Sequence, residues 1–173
     1  MRIQEMTEEE CRELLAGRNV ARLACALNNQ PYVVPIRVHL EGQYLYGYAT
    51  LGQKIEWMRQ NPLVCVEVDE LTAHDDWVSV IVSGHYEELP HAPEYEDSRR
   101  TAERLFQRHA MWWEPAAVPL VHHEQSMPVV FRIRMDQVTG RRAMSDAGIG
   151  DRPPPPSRPR GLAAIARRMM RRS

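Results

Sequence analysis

Residues 77–87 alternate with a period of two, and apolar bulk falls on both sides of that period. Val78, Val80 and Val82 share one face, while Trp77 and Ile81, with Ser79 and Ser83, share the other. A period of two belongs to an extended strand, whose successive side chains point to opposite faces of a sheet. A strand that is apolar on both faces has to be covered twice, by its own sheet's core and by a helix or a partner subunit. The same period recurs upstream. In residues 32–40 it places Tyr32, Val34, Ile36, Val38 and Leu40 against Val33, Pro35, Arg37 and His39, and in residues 43–49 it sets Tyr44, Tyr46 and Tyr48 against Leu45, Gly47 and Ala49.

Residues 20–27 are β-tolerant and mostly apolar, and Asn28-Asn29 and Glu41-Gly42 supply turn signals on either side of residues 32–40. Three strands joined by such short turns make an antiparallel meander. Residues 63–67 and 77–87 add two more strands. Residues 128–136 close the set, with Val129, Phe131, Ile133 and Met135 facing in and Arg132 and Arg134 facing out. The predicted fold class is therefore mainly β, a small six-stranded antiparallel barrel with peripheral α-helices. Such a barrel has little room inside for a ligand, which puts any site on a rim or between subunits.

Three helices are expected around it. Thr7 and Glu10 have the spacing of a capping box, and the helix they open carries Cys11, Leu14 and Leu15 on one face and stops at Gly17. A second, short helix begins near Gly52-Gln53-Lys54, runs through Ile55, Trp57 and Met58, and ends at Asn61-Pro62. The longest is expected over residues 93–112, with Tyr95, Ala102, Leu105, Phe106 and His109 spaced for one buried face. Cys11, Cys25 and Cys65 lie far apart with no CxxC spacing and read as buried free thiols.

Beyond residue 144 the composition changes. Residues 1–144 read as one domain and residues 145–173 as a Pro- and Arg-rich tail: Pro153, Pro154, Pro155 and Pro156 favour an extended, flexible chain. The tail ends in a segment with Leu162, Ile165, Ala166, Met169 and Met170 at helical spacing and Arg167, Arg168, Arg171 and Arg172 on the remaining face. A basic amphipathic segment of this kind suits an acidic membrane surface or a partner groove, although so short a helix is marginal in water. The whole chain carries a net charge of −1; residues 151–173 hold seven Arg and one Asp, so the rest bears −7. An acidic body excludes a nucleic-acid surface, which needs clustered positive charge. The N-terminus is acidic where an export signal is basic and then apolar, and no run approaches the length of a membrane span, which predicts a cytoplasmic protein.

Lys54 is the single lysine in the chain, and it stands in the first turn of the second helix. A helix start offers unpaired amides and a partial positive charge, Gly52 lets a ligand approach the backbone, and Lys54 adds a full positive charge. Together these features suit a phosphate. His122-His123-Glu124 and His74-Asp75-Asp76 read as loops rather than metal sites, since adjacent side chains point apart. There is no GxSxG, HExxH or P-loop sequence to support a hydrolase, zinc protease or nucleotide triphosphatase.

Taken in order, Pro35-Ile36, Leu45-Tyr46-Gly47-Tyr48-Ala49-Thr50, Gly52-Gln53-Lys54, Asn61-Pro62 and Trp77-Val78-Ser79-Val80 followed by Gly84 resemble the pyridoxamine 5'-phosphate oxidase-related flavin-binding split-barrel proteins, most closely the nitroimidazole-resistance branch. The resemblance spans about residues 7–142. It implies a split barrel that forms a homodimer with FMN at the subunit interface. It also implies that Lys54, with the amides near Gly52 and Gln53, holds the FMN phosphate, and that Tyr48, Ala49 and Thr50 border the ribityl chain and ring. Val34, Pro35, Ile36 and Arg37 match the strand along which the flavin ring lies, and Trp77 and Ser79 match the strand that completes the site near the dimer contact. Relatives in that branch commonly carry His where this chain has Tyr48. The C-terminal pattern of pyridoxal-phosphate-forming oxidases is missing, which disfavours vitamin B6 oxidation. No catalytic side chain is assigned.

The expected function is that of an FMN-dependent oxidoreductase passing electrons from reduced nicotinamide to a small oxidised molecule, a nitroaromatic or quinone. The alternative is a non-catalytic haem- or deazaflavin-binding module that sequesters or senses its ligand, with His39 or His85 as the histidines available to a haem. A third expectation is a membrane- or partner-tethered protein whose function lies in the tail.

Overall fold

The computed structural model describes residues 2–108 and 128–144. Seven strands, β1 (Arg2–Glu5), β2 (Val20–Leu27), β3 (Gln30–Glu41), β4 (Tyr44–Ala49), β5 (Leu63–Ala73), β6 (Asp76–Glu88) and β7 (Val129–Met144), form one antiparallel sheet in the order β1-β7-β4-β3-β2-β5-β6. A further pairing of β6 with β7 closes strands β2 to β7 into a barrel and leaves β1 as an added strand on β7. The six barrel strands are the six read from the sequence.

The turns form where side-chain chemistry allows them. Asn28 and Asn29 take positive φ angles of 50° and 62°, and Gly42 one of 59°, conformations that Asn and Gly tolerate best. Alternation places Leu23, Val38, Leu45, Val66, Val80, Val82, Phe131 and Ile133 inside, all at or near zero exposure.

Two helices close the two ends of the barrel. Helix α1 (Glu8–Ala16) starts at Thr7, whose hydroxyl accepts from the Glu10 amide while the Glu10 carboxylate accepts from the Thr7 amide at 2.8 Å. It buries Cys11 and Leu15 at one mouth, where Cys11 abuts Gly140 of β7. Gly17 ends the helix in a right-handed conformation. Helix α2 (Gln53–Gln60) drives Ile55 and Met58 into the other mouth, and Trp57 packs against Tyr32 with ring centroids 5.6 Å apart. Asn61 stops α2 and fastens it, its side-chain amide donating to the Ala26 carbonyl at 2.9 Å. Helix α3 (Glu96–Arg108), entered through a single 3-10 turn at Pro93–Tyr95, lies outside the barrel. Its Ala102, Leu105 and Phe106 form a second apolar cluster with Tyr46 and Leu89.

Several boundaries differ from the sequence reading. Strand β5 runs on to Ala73, past the residues 63–67 read as strand; Asp69 and Glu70 are poor strand formers, and pairing with Ser79 and Val78 of β6 overrides that preference. Strand β7 runs on to Met144 because β6 and β1 flank its second half. Strand β1 is exposed at every residue and has no pattern of its own. The long helix is described only as far as Arg108; His109, the Trp112-Trp113 pair, His122-His123-Glu124 and the tail lie outside the described residues. All three cysteines are free thiols, Cys11 and Cys25 buried and Cys65 half-buried. No described helix is long and apolar enough to cross a membrane.

Candidate functional site

The barrel wall parts between β3 and β4. The β3–β4 ladder runs from Glu41 opposite Tyr44 to Val38 opposite Gly47 and goes no further. From Arg37 back to Gln30, strand β3 pairs with β2, and from Tyr48 to Ala49, strand β4 pairs with β7. The point of parting is crowded: a Cβ on Gly47 would stand 2.6 Å from the ring of Phe131 and 3.0 Å from the Arg37 carbonyl. Past it the two strands separate, and the chain leaving β4 turns through Thr50 and Leu51 into α2.

That turn brings the start of α2 to the opening. The amides of Ile55 and Glu56 both donate to the Gly52 carbonyl, so the amides of Gln53 and Lys54 precede the first intrahelical bonds. Gly52 is extended, and a Cβ there would meet nothing within 4 Å, so the backbone is open to approach on that side. Lys54 is half-buried over β2 and forms no ion pair among the described residues. Burial pushes the Cys25 thiol up from its ordinary pKa, and the charge of Lys54 opposes that rise. A positive charge, free amides and an open backbone therefore coincide at the split.

The other expected site residues divide by face. Val34 and Ile36 turn inward and pack in the core, whereas Val33 and Pro35 are exposed on the outer face and Arg37 is half-buried there. Ala49 also points into the core, and Thr50 is exposed. The ring of Tyr48 packs edge-on against Phe106 of α3, centroids 4.8 Å apart, so Tyr48 lies on the face that α3 covers. Trp77 and Ser79 lie toward the α1 end of β6, away from Lys54, beside a depression of about 610 Å³ that includes Met6, Gly140 and Arg141. The fold thus gathers residues 34–37, 48–50 and 52–54 around the split but leaves Trp77 and Ser79 apart from it.

A polar network joins the two places across the outer face. The Ser79 hydroxyl donates to Glu67 at 3.2 Å, Glu67 accepts from Arg22 at 2.9 Å, and Arg22 sits opposite Pro35 in the β2–β3 ladder. Arg22 also pairs with Asp69. None of these three charged residues was singled out from the sequence, where Arg22 is one polar residue in a mostly apolar run. A second cluster, His85, Asp136 and Arg134, forms where a bulge in β7 turns Asp136 toward β6; Arg134 first and then His85 hold the Asp136 carboxyl below its usual range. Among the described residues, no group of His, Cys, Asp and Glu is arranged to hold a metal ion.

Comparison with known proteins places this geometry. An uncharacterized protein of Rhizobium meliloti (strain 1021) is 39% identical over 146 residues, covering 83% of this chain and 97% of that protein. A crystal structure described as a FAD-binding protein from Mesorhizobium loti superposes with a TM-score of 0.69 at 39% identity, over 84% of this chain and 99% of that one. The barrel is also shared with a 5-nitroimidazole antibiotic resistance protein from Bacteroides thetaiotaomicron, at a TM-score of 0.59, 19% identity, and 84% and 93% coverage of this chain and that one. The profile of the pyridoxamine 5'-phosphate oxidase family matches residues 7–142, so the chain belongs to that family.

Proposed function

We propose that this protein binds a flavin nucleotide at the split between β3 and β4 and uses it to pass electrons from a reduced nicotinamide to a small oxidised molecule of the nitroaromatic or quinone class. The observation that carries the reading is the coincidence of the opening in the wall with Lys54 and the first amides of α2. Phosphate is the group that such a donor set fits. FMN and the flavin half of FAD present the same first phosphate, and the relative from Mesorhizobium loti is described as FAD-binding.

In this reading Lys54 and the amides of Gln53 and Lys54 neutralise the phosphate. Val33 and Pro35 offer an apolar outer surface beside the split, and Arg37 adds positive charge next to it. Thr50 and Gly52 supply main chain that a ribityl chain can approach. The bound flavin supplies hydride chemistry, which needs no acid or base from the protein. The task of the chain is to bind and orient it, and to stabilise the negative charge of its reduced form with fixed cations and amides.

The proposed site is completed by a second copy. Among the described residues nothing covers the outer face of β3, β2, β5 and β6, which exposes Val20, Val33, Leu63 and Ile81 at 63%, 58%, 58% and 43%. An apolar patch of that kind marks an interaction surface. A homodimer across it would bring Trp77 and Ser79 of one copy toward the split of the other. The proposed setting is the cytoplasm, where reduced nicotinamide is available.

The test is the absorption spectrum of the purified protein after loading with flavin and desalting, with the nucleotide released by heat and identified by chromatography. Flavin bands near one per subunit, together with sedimentation as a dimer, are expected. A Soret band, or no retained flavin after loading with FMN or FAD, overturns the reading and favours the haem or deazaflavin module.

A further inference from the structure

A second groove, of about 530 Å³, lies between α1 and the hairpin of β5 and β6, on the far end of the barrel from Lys54. Its apolar lining comes from Met6, Leu14, Trp77 and Val78, and its rim carries the carboxylates of Glu10, Glu13, Glu70 and Asp76 against one guanidinium, Arg142. Glu10 is satisfied by Arg142 and Glu70 by Arg18. Glu13 and Asp76 form no ion pair among the described residues. The groove is thus an apolar trough with an excess of negative charge.

The last described residue, Met144, is itself part of the groove and is half exposed, at 51%. The chain that follows begins at this rim. It lies beyond the family match, which ends at residue 142, and residues 151–173 carry a net charge of +6. In the sequence of its final segment Leu162, Ile165, Ala166, Met169 and Met170 recur at helical spacing, with four arginines at the remaining positions. Apolar lining matches apolar face, and acidic rim matches basic flank. The intervening residues, at roughly 3.1 Å each where they are proline-rich, are long enough to turn back to the groove.

We propose that residues 162–173 dock in this groove of the protein's own body, with their apolar face over Met6, Leu14 and Trp77 and their arginines against Glu13 and Asp76. A segment too short to hold a helix alone is ordered by such a surface. The inference uses neither the split nor Lys54 and shares only Trp77 with the flavin reading.

The experiment is limited trypsin digestion of the full chain, reading cleavage after Arg167 and Arg168 by mass spectrometry at 50 mM and 500 mM salt. Rim ion pairs are individually weak and screened by salt, so cleavage of the wild-type tail is expected to quicken about fivefold at the higher salt. The double variant Glu13→Lys, Asp76→Lys is expected to show the fast rate at both salts, with an unchanged melting temperature. Equal, fast cleavage of the wild type at both salts overturns the proposal. So does a tail whose protection survives the double charge reversal. Flotation of the full chain with anionic vesicles at a tail cleavage rate independent of Glu13 and Asp76 assigns the tail to a membrane and also overturns it.

Discussion

The ring of Tyr48 meets the ring of Phe106 edge-on at 4.8 Å, which fastens the last residues of β4 to α3 on the side of the sheet that faces away from the barrel core. Edge-to-face aromatic pairs contribute about 1 kcal/mol beyond their burial. Tyr48→Leu is therefore expected to lower the melting temperature by about 2–4 °C while leaving retained flavin unchanged. Loss of flavin at an unchanged melting temperature would place the Tyr48 ring in the site instead of against α3.

Lys54 contributes differently. It is half-buried, forms no ion pair among the described residues, and is not part of the buried core that holds α2 in place, which rests on Ile55 and Met58. Lys54→Ala is expected to weaken FMN binding by roughly 10- to 100-fold, the worth of one charged hydrogen bond of about 1.5–3 kcal/mol, with the melting temperature of the flavin-free protein unmoved. Lys54→Arg retains the charge and is expected to recover most of the affinity. Titration of the stripped protein with FMN, followed by flavin fluorescence, measures both; equal affinity in wild type and Lys54→Ala would remove Lys54 from the site.

Much of this was legible in the sequence, and the reason differs by element. A period of two identifies β3, β4 and β6 directly, β2 shows as a β-tolerant apolar run, and the Thr7–Glu10 capping box marks α1 from local chemistry alone. The second halves of β5 and β7 were not legible because Asp69, Glu70, Arg141 and Arg142 are polar and are held as strands by partners far away in sequence. Lys54 stood out as the only lysine. The opening beside it did not, because it depends on where the pairing of Val38 with Gly47 ends, and no local pattern encodes the end of a ladder. The Arg22–Glu67–Ser79 network was hidden for the same reason: its members come from three strands.

Gly84 marks the bulge in the β6–β7 pairing, and a Cβ there would stand 2.1 Å from the Arg134 carbonyl oxygen and 3.0 Å from an Ile133 methyl. The obstruction is backbone, which a rotamer change cannot relieve. Gly84→Ala is expected to destabilise the fold by about 3 kcal/mol, the upper end for overpacking, and to lower the melting temperature by about 6–12 °C. Gly52→Ala, where an added Cβ meets nothing within 4 Å, is the control and is expected to leave the melt nearly unchanged. Equal melts for Gly84→Ala and wild type would show that the β6–β7 backbone can shift to accommodate the methyl group.

Glu88 gives the fold a pH dependence whose sign can be worked out. Arg59 of α2 donates to both of its carboxylate oxygens at 2.7 Å, and the Tyr86 hydroxyl donates to one of them at 3.1 Å. The Arg59 hydrogen bonds, helped by Tyr86, hold the Glu88 carboxyl below its unfolded value of 4.5 despite partial burial. A carboxyl with a depressed folded pKa binds its proton more tightly in the unfolded chain. Its contribution to stability is therefore complete above pH 4.5 and is lost as pH falls through the lower, folded value. Glu88→Gln is expected to lose about 1 kcal/mol at pH 7, a figure held down because 29% of the side chain remains exposed. The gap between variant and wild type should close as pH is lowered below that range. Thermal melts of both proteins between pH 3 and pH 7 test this. A gap that stays constant across that range would show that Glu88 acts through packing rather than through its charge.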